Sequence, residues 1–270
     1  MMYKIIACDL DETLIRMDRT ISQEDKDAIS AARKLGVRFV PATGRGYESV
    51  DVTLAELGLL GAAGEYTISF NGGCITENAG HRIIHYQGLE RAKAEELWAR
   101  GLAYDVCIHV YTTDMCYAYR YNDDEAKFQA GRMALTPIDH DTLDFLAGQD
   151  IVKLLYQNTD IPYLEQIERE LADVTGDLDV SYSSNRYLEF NPRGVTKGAR
   201  LLRLAELLGV DPKDTIAIGD NWNDFSMIQA AGVGAAVANA VESMKPQCDY
   251  VCAATCDENA VAEVIRTFVL

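Results

Sequence analysis

The apolar run Ile5-Ile6-Ala7-Cys8 stops at Asp9-Leu10-Asp11-Glu12-Thr13, and no other stretch limits the fold of this chain so narrowly. An extended hydrophobic segment that ends in two carboxylates is a buried strand with its charges at the exposed tip. In a parallel sheet that tip lies on the edge where ligands bind. Asp9 and Asp11 alternate along the chain, so a regular strand turns both side chains to one face. Two such carboxylates are costly unless a cation or a proton separates them. The stretch is therefore a metal site, an acid/base pair, a nucleophile beside its acid, or a plain acidic turn.

The strand-and-tip pattern recurs. Ser22-Gln23-Glu24-Asp25 is a helix start with Ser22 as N-cap and an acid at the third helical position. Ala28, Ile29, Ala32 and Leu35 supply its apolar face, and Gly36 ends it. Val37–Val40 then forms a strand running into Ala42-Thr43-Gly44-Arg45. A helix over Tyr47–Leu57 leads to a strand over Tyr66–Phe70 that ends in Asn71-Gly72-Gly73. Strand, helix and strand in succession predict a parallel, helix-covered sheet. Near the C-terminus, Lys197 opens a helix that ends at Gly209. Thr215–Gly219 is a strand ending at Asp220-Asn221-Trp222-Asn223-Asp224, and a short helix and a strand over Val233–Val237 follow.

The middle differs. Residues 106–111 and 116–121 alternate around Thr112–Met115, which predicts an antiparallel hairpin. A strand over Ile151–Tyr156, a helix over Ile161–Val174 and further strand over Leu178–Phe190 complete a hairpin-rich α+β segment between two βαβ-like halves. At 270 residues the chain accommodates one core domain and one smaller insertion.

Twenty-five basic against 42 acidic residues leave a net charge of −17, which argues against general nucleic-acid or anionic-membrane binding. An anionic substrate then needs a local positive pocket, and a divalent cation would help to supply one. Seven scattered cysteines without a CxxC pair do not form a disulfide framework. Asp9 interrupts the first apolar run before a signal peptide could form, and the small-apolar stretch 230–238 is far short of a membrane span. A reducing cytoplasm is the expected compartment. Four histidines lack metal-ligand spacing, and neither GxSxG nor GxxxxGK[ST] occurs.

In a parallel sheet the polar tips converge, so Asp9, Asp11, Asp220 and Asp224 crowd together. Hard carboxylate oxygens at that density favour Mg2+, which retains waters and bridges a substrate phosphate. Thr43 and Lys197 can donate to phosphate oxygens, and Gly44, Gly72 and Gly219 permit close backbone approach.

Four segments in order, Asp9–Thr13, Ala42–Arg45, Gly194–Gly198 and Gly219–Asp224, resemble the four motifs of the haloacid dehalogenase superfamily. Phe70–Gly73 and Asp249–Val251 make the chain most similar to the Cof-type phosphatases with a type-IIB cap. The resemblance implies an α/β fold: a Rossmann-like three-layer parallel-sheet core over residues 1–85 and 188–270, and an inserted α+β cap over 86–187 that closes over the site. It implies a Mg2+-dependent phosphatase acting on a small phosphorylated metabolite, a sugar phosphate or a phosphorylated cofactor, through an aspartyl-phosphate. A sugar phosphomutase on the same scaffold and a non-catalytic phospho-ligand sensor are the alternatives.

By the same resemblance Asp9 is the nucleophile, and Asp11 protonates the leaving group and then activates water. Thr43 and Lys197 hold the phosphoryl group. Asp220 binds Mg2+ with Asp9 and the Asp11 carbonyl, Asp224 orients water on the metal, and Asn223 steadies the phosphoryl group or the loop. Gly44, Arg45 and Asn71 are further substrate-site candidates, and Arg120, Arg186 and Tyr187 are the cap candidates. Glu12 departs from the family, which more often has Gly there.

Overall fold

Ile5, Ile6, Ala7 and Cys8 form β1 (Ile5–Cys8), and all four are fully buried, so layers must cover both faces of this strand. The structure is a computed structural model and describes residues 3–131 and 133–270. Its elements divide into a discontinuous core unit, Met1–Tyr86 with Thr196–Leu270, and an inserted unit, Gln87–Val195.

The core begins with β1, α1 (Gln23–Lys34), β2 (Arg38–Pro41), α2 (Asp51–Glu56), β3 (Tyr66–Ser69), β4 (Cys74–Glu77) and β5 (Arg82–Tyr86). The insert supplies α3 (Arg91–Gly101), β6 (Cys107–Thr112), β7 (Cys116–Tyr119), α4 (Asp123–Gln129), β8 (Thr136–Ile138), β9 (Ile151–Gln157), α5 (Ile161–Glu170), β10 (Leu178–Ser183) and β11 (Tyr187–Pro192). The core resumes with α6 (Lys197–Leu208), β12 (Thr215–Gly219), α7 (Trp222–Ala230), β13 (Val233–Ala236), β14 (Tyr250–Val251) and α8 (Ala260–Phe268).

Five parallel strands in the order β14-β13-β12-β1-β2 make the core sheet. α1 packs on α8 and α6 on α7. Apolar residues of all four helices, such as Ile29, Val264, Leu204 and Ile228, join the strands in one cluster. Full burial of Ile5 or Ile6 contributes about 1.5–3 kcal/mol, which sets the strand so firmly that the residues following it have a defined place.

Ser22 caps α1 as its sequence predicts, accepting from the Asp25 amide at 2.9 Å. Asp25 is itself buried and accepts from the Ala262 amide in the first turn of α8.

Three departures from the sequence expectations have physical causes. β3 does not extend the parallel sheet as a full strand. It meets β2 through a single bridge, Ala42 to Ile68, and pairs along its length with β4 in the antiparallel meander β3-β4-β5. The segment 178–190 is a hairpin, because Ser184 and Asn185 both adopt left-handed φ, 52° and 49°, and reverse the chain between β10 and β11. The insert therefore runs on past Tyr187 to Val195, since β11 pairs with β10 and β9.

The insert has its own sheet, in the order β10-β11-β9-β6-β7-β8, and its own core around Trp98, Ile108, Tyr156, Leu164 and Phe190. The seven cysteines are free thiols. Among the described residues no helix is long and apolar enough to cross a membrane.

Candidate active site

β1 ends at Cys8, one residue before Asp9, and this early end separates the two aspartates. Asp9 remains anchored, its amide donating to the Ile218 carbonyl of β12 at 2.9 Å, and its side chain is buried. Asp11 follows a turn, and its side chain is 49% exposed. The shared face expected of a continuous strand does not form, because the chain leaves the strand geometry that alternation presumes.

Lys197 organises the buried part of the site. Its residue exposure is 0%, although a lysine at a helix start reads in isolation as a surface residue. Nζ donates to Asp9 Oδ1 at 2.6 Å and to Asp224 Oδ1 at 2.5 Å. Asp224 Oδ2 in turn accepts from the amides of Asp220 at 3.1 Å and Asn221 at 3.2 Å, so the third residue of α7 caps its own helix while facing the lysine. Asp220 is held by the Thr13 hydroxyl, which donates to Oδ1 at 2.9 Å. A Cβ on Gly219 would overlap the Asp224 side chain, which accounts for the glycine at the strand tip.

Asp9, Asp220 and Asp224 offer carboxylate oxygens that all lie within 4.8 Å of one another. One ammonium faces three carboxylates, and the ionisation behaviour shows the imbalance. Burial and the Asp224 carboxylate push Asp9 well above the ordinary carboxylate range, with Lys197 opposing. Burial and Asp224 likewise push Asp220 up to about 7, against the Thr13 hydrogen bond. Burial works to lower Lys197, but Asp224 and Asp9 outweigh it and hold the ammonium above its usual value. A cluster of hard oxygens that is short of positive charge fits a small divalent cation. The Asp11 carboxylate lies outside this group of three.

The remaining residues rim the cluster. Thr43 is buried at the tip of β2. Its amide donates to the Ile68 carbonyl at 2.9 Å, and its hydroxyl accepts from the Arg45 amide at 3.1 Å. Arg45 grips Asp11 through both oxygens, with Nε to Oδ2 at 2.8 Å and Nη2 to Oδ1. Asn71, at φ 54°, receives the Asn223 amide at 3.3 Å, and a Cβ on Gly44 would press on the same Asn71 side chain. Gly72, at φ 105°, backs onto the Thr196 carbonyl so closely that no side chain fits.

Two residues carry more than the sequence alone indicates. Thr13 is an Asp220 partner, a role no local pattern encodes. Glu12 adopts φ 61°, the left-handed region. That explains why glycine suits this position.

The cap candidates lie in the insert, each engaged there. Arg120 donates to the carbonyls of Tyr104 at 2.5 Å and Leu102 at 3.0 Å. Arg186 pairs with Asp124 and, at 3.2 Å, with Glu125. The Tyr187 hydroxyl donates to Glu125 at 2.6 Å and accepts from Gln129 at 2.8 Å.

The family model for haloacid dehalogenase-like hydrolases matches residues 6–265. The 5-amino-6-(5-phospho-D-ribitylamino)uracil phosphatase YwtE of Bacillus subtilis is 30% identical, over 97% of this chain and 96% of the relative. The HMP-PP phosphatase of Yersinia pseudotuberculosis is 27% identical, over 98% of this chain and 95% of its own length. Among solved structures, a haloacid dehalogenase-like hydrolase from Bacteroides thetaiotaomicron superposes with a TM-score of 0.85 at 30% identity, covering 98% of this chain and 99% of that one.

Proposed function

This chain belongs to the haloacid dehalogenase-like hydrolases and is a phosphoric monoester hydrolase, and from that premise we propose that it uses Mg2+ to dephosphorylate a small metabolite through an aspartyl-phosphate on Asp9. The observation that carries the reading is the buried ammonium of Lys197 between Asp9 and Asp224, with the Asp220 carboxylate beside them. A purely structural cluster would balance its charges. This one leaves negative charge uncompensated at the tips of β1 and β12, and the buried Thr43 stands at the tip of the adjoining β2.

Asp9, Asp220 and Asp224 are the side chains that would hold Mg2+. Bound there, the ion supplies charge screening for a carboxylate and a phosphate dianion that otherwise repel. Lys197 fixes Asp9 Oδ1, and Oδ2 accepts no hydrogen bond among the described residues, which leaves it as the attacking oxygen. The Oδ2–phosphorus bond forms as the bond to the leaving oxygen breaks, and Asp11 gives that oxygen its proton. Asp11 then takes a proton from water as the water oxygen bonds to phosphorus and frees Asp9. Arg45 occupies both Asp11 oxygens, so the pair has to open before Asp11 can reach the leaving oxygen. Thr43 and Lys197 steady the phosphoryl oxygens during the transfer, where positioning and electrostatics supply most of the rate.

Two relatives support the substrate class, one named for a ribitylamino-uracil phosphate and one for HMP-PP. We extend it to this chain as a small phosphorylated metabolite, a sugar phosphate or a phosphorylated cofactor. Phosphate release over a panel of sugar phosphates, polyol phosphates, flavin mononucleotide and pyridoxal phosphate tests it, with Mg2+ and then with chelator. We expect turnover on one class and its loss on chelation. Full turnover in metal-free buffer would sink the proposal.

A further inference from the structure

The loop that carries Asp9 and Asp11 is also held by a side-chain amide from elsewhere in the core. Asn239 Nδ2 donates to the Glu12 carbonyl at 2.8 Å, and Asn239 Oδ1 accepts from the Cys256 amide at 2.8 Å. The mount of that amide is itself fixed. Val237 N donates to Gly219 O at 3.2 Å, Ala238 N to Ala254 O at 2.9 Å, and Val241 N to Asp220 O at 2.8 Å. Asn239 thus stands on a segment bonded to the carbonyl of the Asp220 carboxylate's own residue. On the other side of the contact, Glu12 holds φ 61° between Asp11 and Thr13, and Thr13 bonds Asp220. A side-chain-bearing residue disfavours that conformation, and glycine does not.

Resting on the phosphatase reading above, we propose that Asn239 is a positioning residue: it holds Glu12 in the left-handed conformation, so that Asp11 and Thr13 keep their places beside Asp9 and Asp220. Asn239→Ala removes the clamp and leaves every carboxylate, Lys197 and Thr43 in place. Glu12→Gly supplies the same turn without needing the clamp.

Four proteins test it: wild type, Asn239→Ala, Glu12→Gly and the double variant, each assayed with Mg2+ on an aryl phosphate. Asn239→Ala should lower kcat about tenfold with KM changed less than about twofold, the size expected for losing one strained backbone conformation. Glu12→Gly should stay within about twofold of wild type, and the double variant should recover to within about threefold. A staple that serves only the Cys256 loop gives equal losses in both backgrounds, and that additivity overturns the proposal, as does wild-type kcat in Asn239→Ala. Should the alanine variant not fold, Asn239→Asp keeps the acceptor for Cys256, loses the donor to Glu12, and replaces it in the cycle. Thermal unfolding of the same proteins gives an independent readout. Asn239→Ala should lower Tm by less when Glu12→Gly is present, and equal decrements in both backgrounds overturn the clamp. If the wild type releases no phosphate from any substrate, the functional reading falls, whereas this thermal cycle still decides on the clamp.

Discussion

The core and the insert each bury a lysine against carboxylates, and the two arrangements are built for different ends. In the insert, Lys153 Nζ meets Glu189 Oε2 at 2.6 Å, with both side chains about 95% buried. Ser183 donates to the other Glu189 oxygen, and the Lys153 ammonium also lies 4.8 Å from the centre of the Tyr111 ring. Burial works to raise Glu189, but Lys153, Ser183 and Asn191 outweigh it and leave the carboxyl below its usual value. The charges balance one to one. In the core, Lys197 is shared by Asp9 and Asp224 with Asp220 adjacent, and burial with the Asp224 charge raises the Asp9 and Asp220 carboxyls. Burial and ion pairing alone do not mark a reactive site, since both regions have them. Charge stoichiometry separates the two.

Asp9→Asn puts the contrast under most strain. It should abolish phosphate release and the incorporation of label into protein from a labelled substrate, a fall of at least ~10^4 in kcat where a nucleophile is lost. The same change removes one of three crowded carboxylates, so the metal-free protein should become more stable, on the order of 1 kcal/mol, in urea unfolding. Near-normal turnover would mean that another group attacks phosphorus.

The complementary change in the insert is Lys153→Met. It leaves Glu189 buried without its partner and should cost about 3–5 kcal/mol, with kcat on an aryl phosphate unchanged in the folded fraction. Adding Glu189→Leu should recover most of that stability. If the lysine change were harmless, the insert pair would be as uncompensated as the core cluster, and the contrast would fail.

The smallest effect is on pH. A carboxyl raised to about 7 in the folded protein binds protons more tightly there than in the unfolded chain. The stability that Asp220 contributes is therefore full below about pH 4 and is lost as pH rises towards 7. Metal-free protein should lose on the order of 1–2 kcal/mol across this window from the cluster. Mg2+ binds the ionised form and should flatten or reverse the slope. Parallel curves with and without Mg2+ would place the cation elsewhere.

The core was legible where burial forces a local pattern. Ile5–Cys8 can only be a covered strand, and the run Thr215–Gly219 can only be another, so Asp9 and Asp220 fall at neighbouring tips without any knowledge of side-chain partners. What stayed hidden depended on backbone states or on distant contacts. Alternation placed Asp11 with Asp9 because nothing in the sequence announces that the strand ends at Cys8 and the chain turns before Asp11. The pairing of β3 with β4 rather than along β2 is decided by the meander that follows. The helix α8 is securely packed yet weakly announced, because Asn259 before it is left-handed and makes no side-chain cap. Lys197 is a surface residue by composition and a buried one by position, and only the converging strand tips decide between these.

The division of the core by its insertion also sets when the protein can become itself. β1 is made some two hundred residues before β12, one of its two neighbours in the sheet, with Ile5 paired to Thr215. At a synthesis rate of ~5–20 residues per second, the nascent strand waits roughly 10–40 s for that neighbour. Meanwhile the whole of Gln87–Val195, which has its own sheet and apolar centre, has already left the ribosome. The insert is thus placed to fold first. In that interval β1 can pair only with β2, and its other edge stays open to chaperones or to wrong strand partners until the Asp220 half arrives.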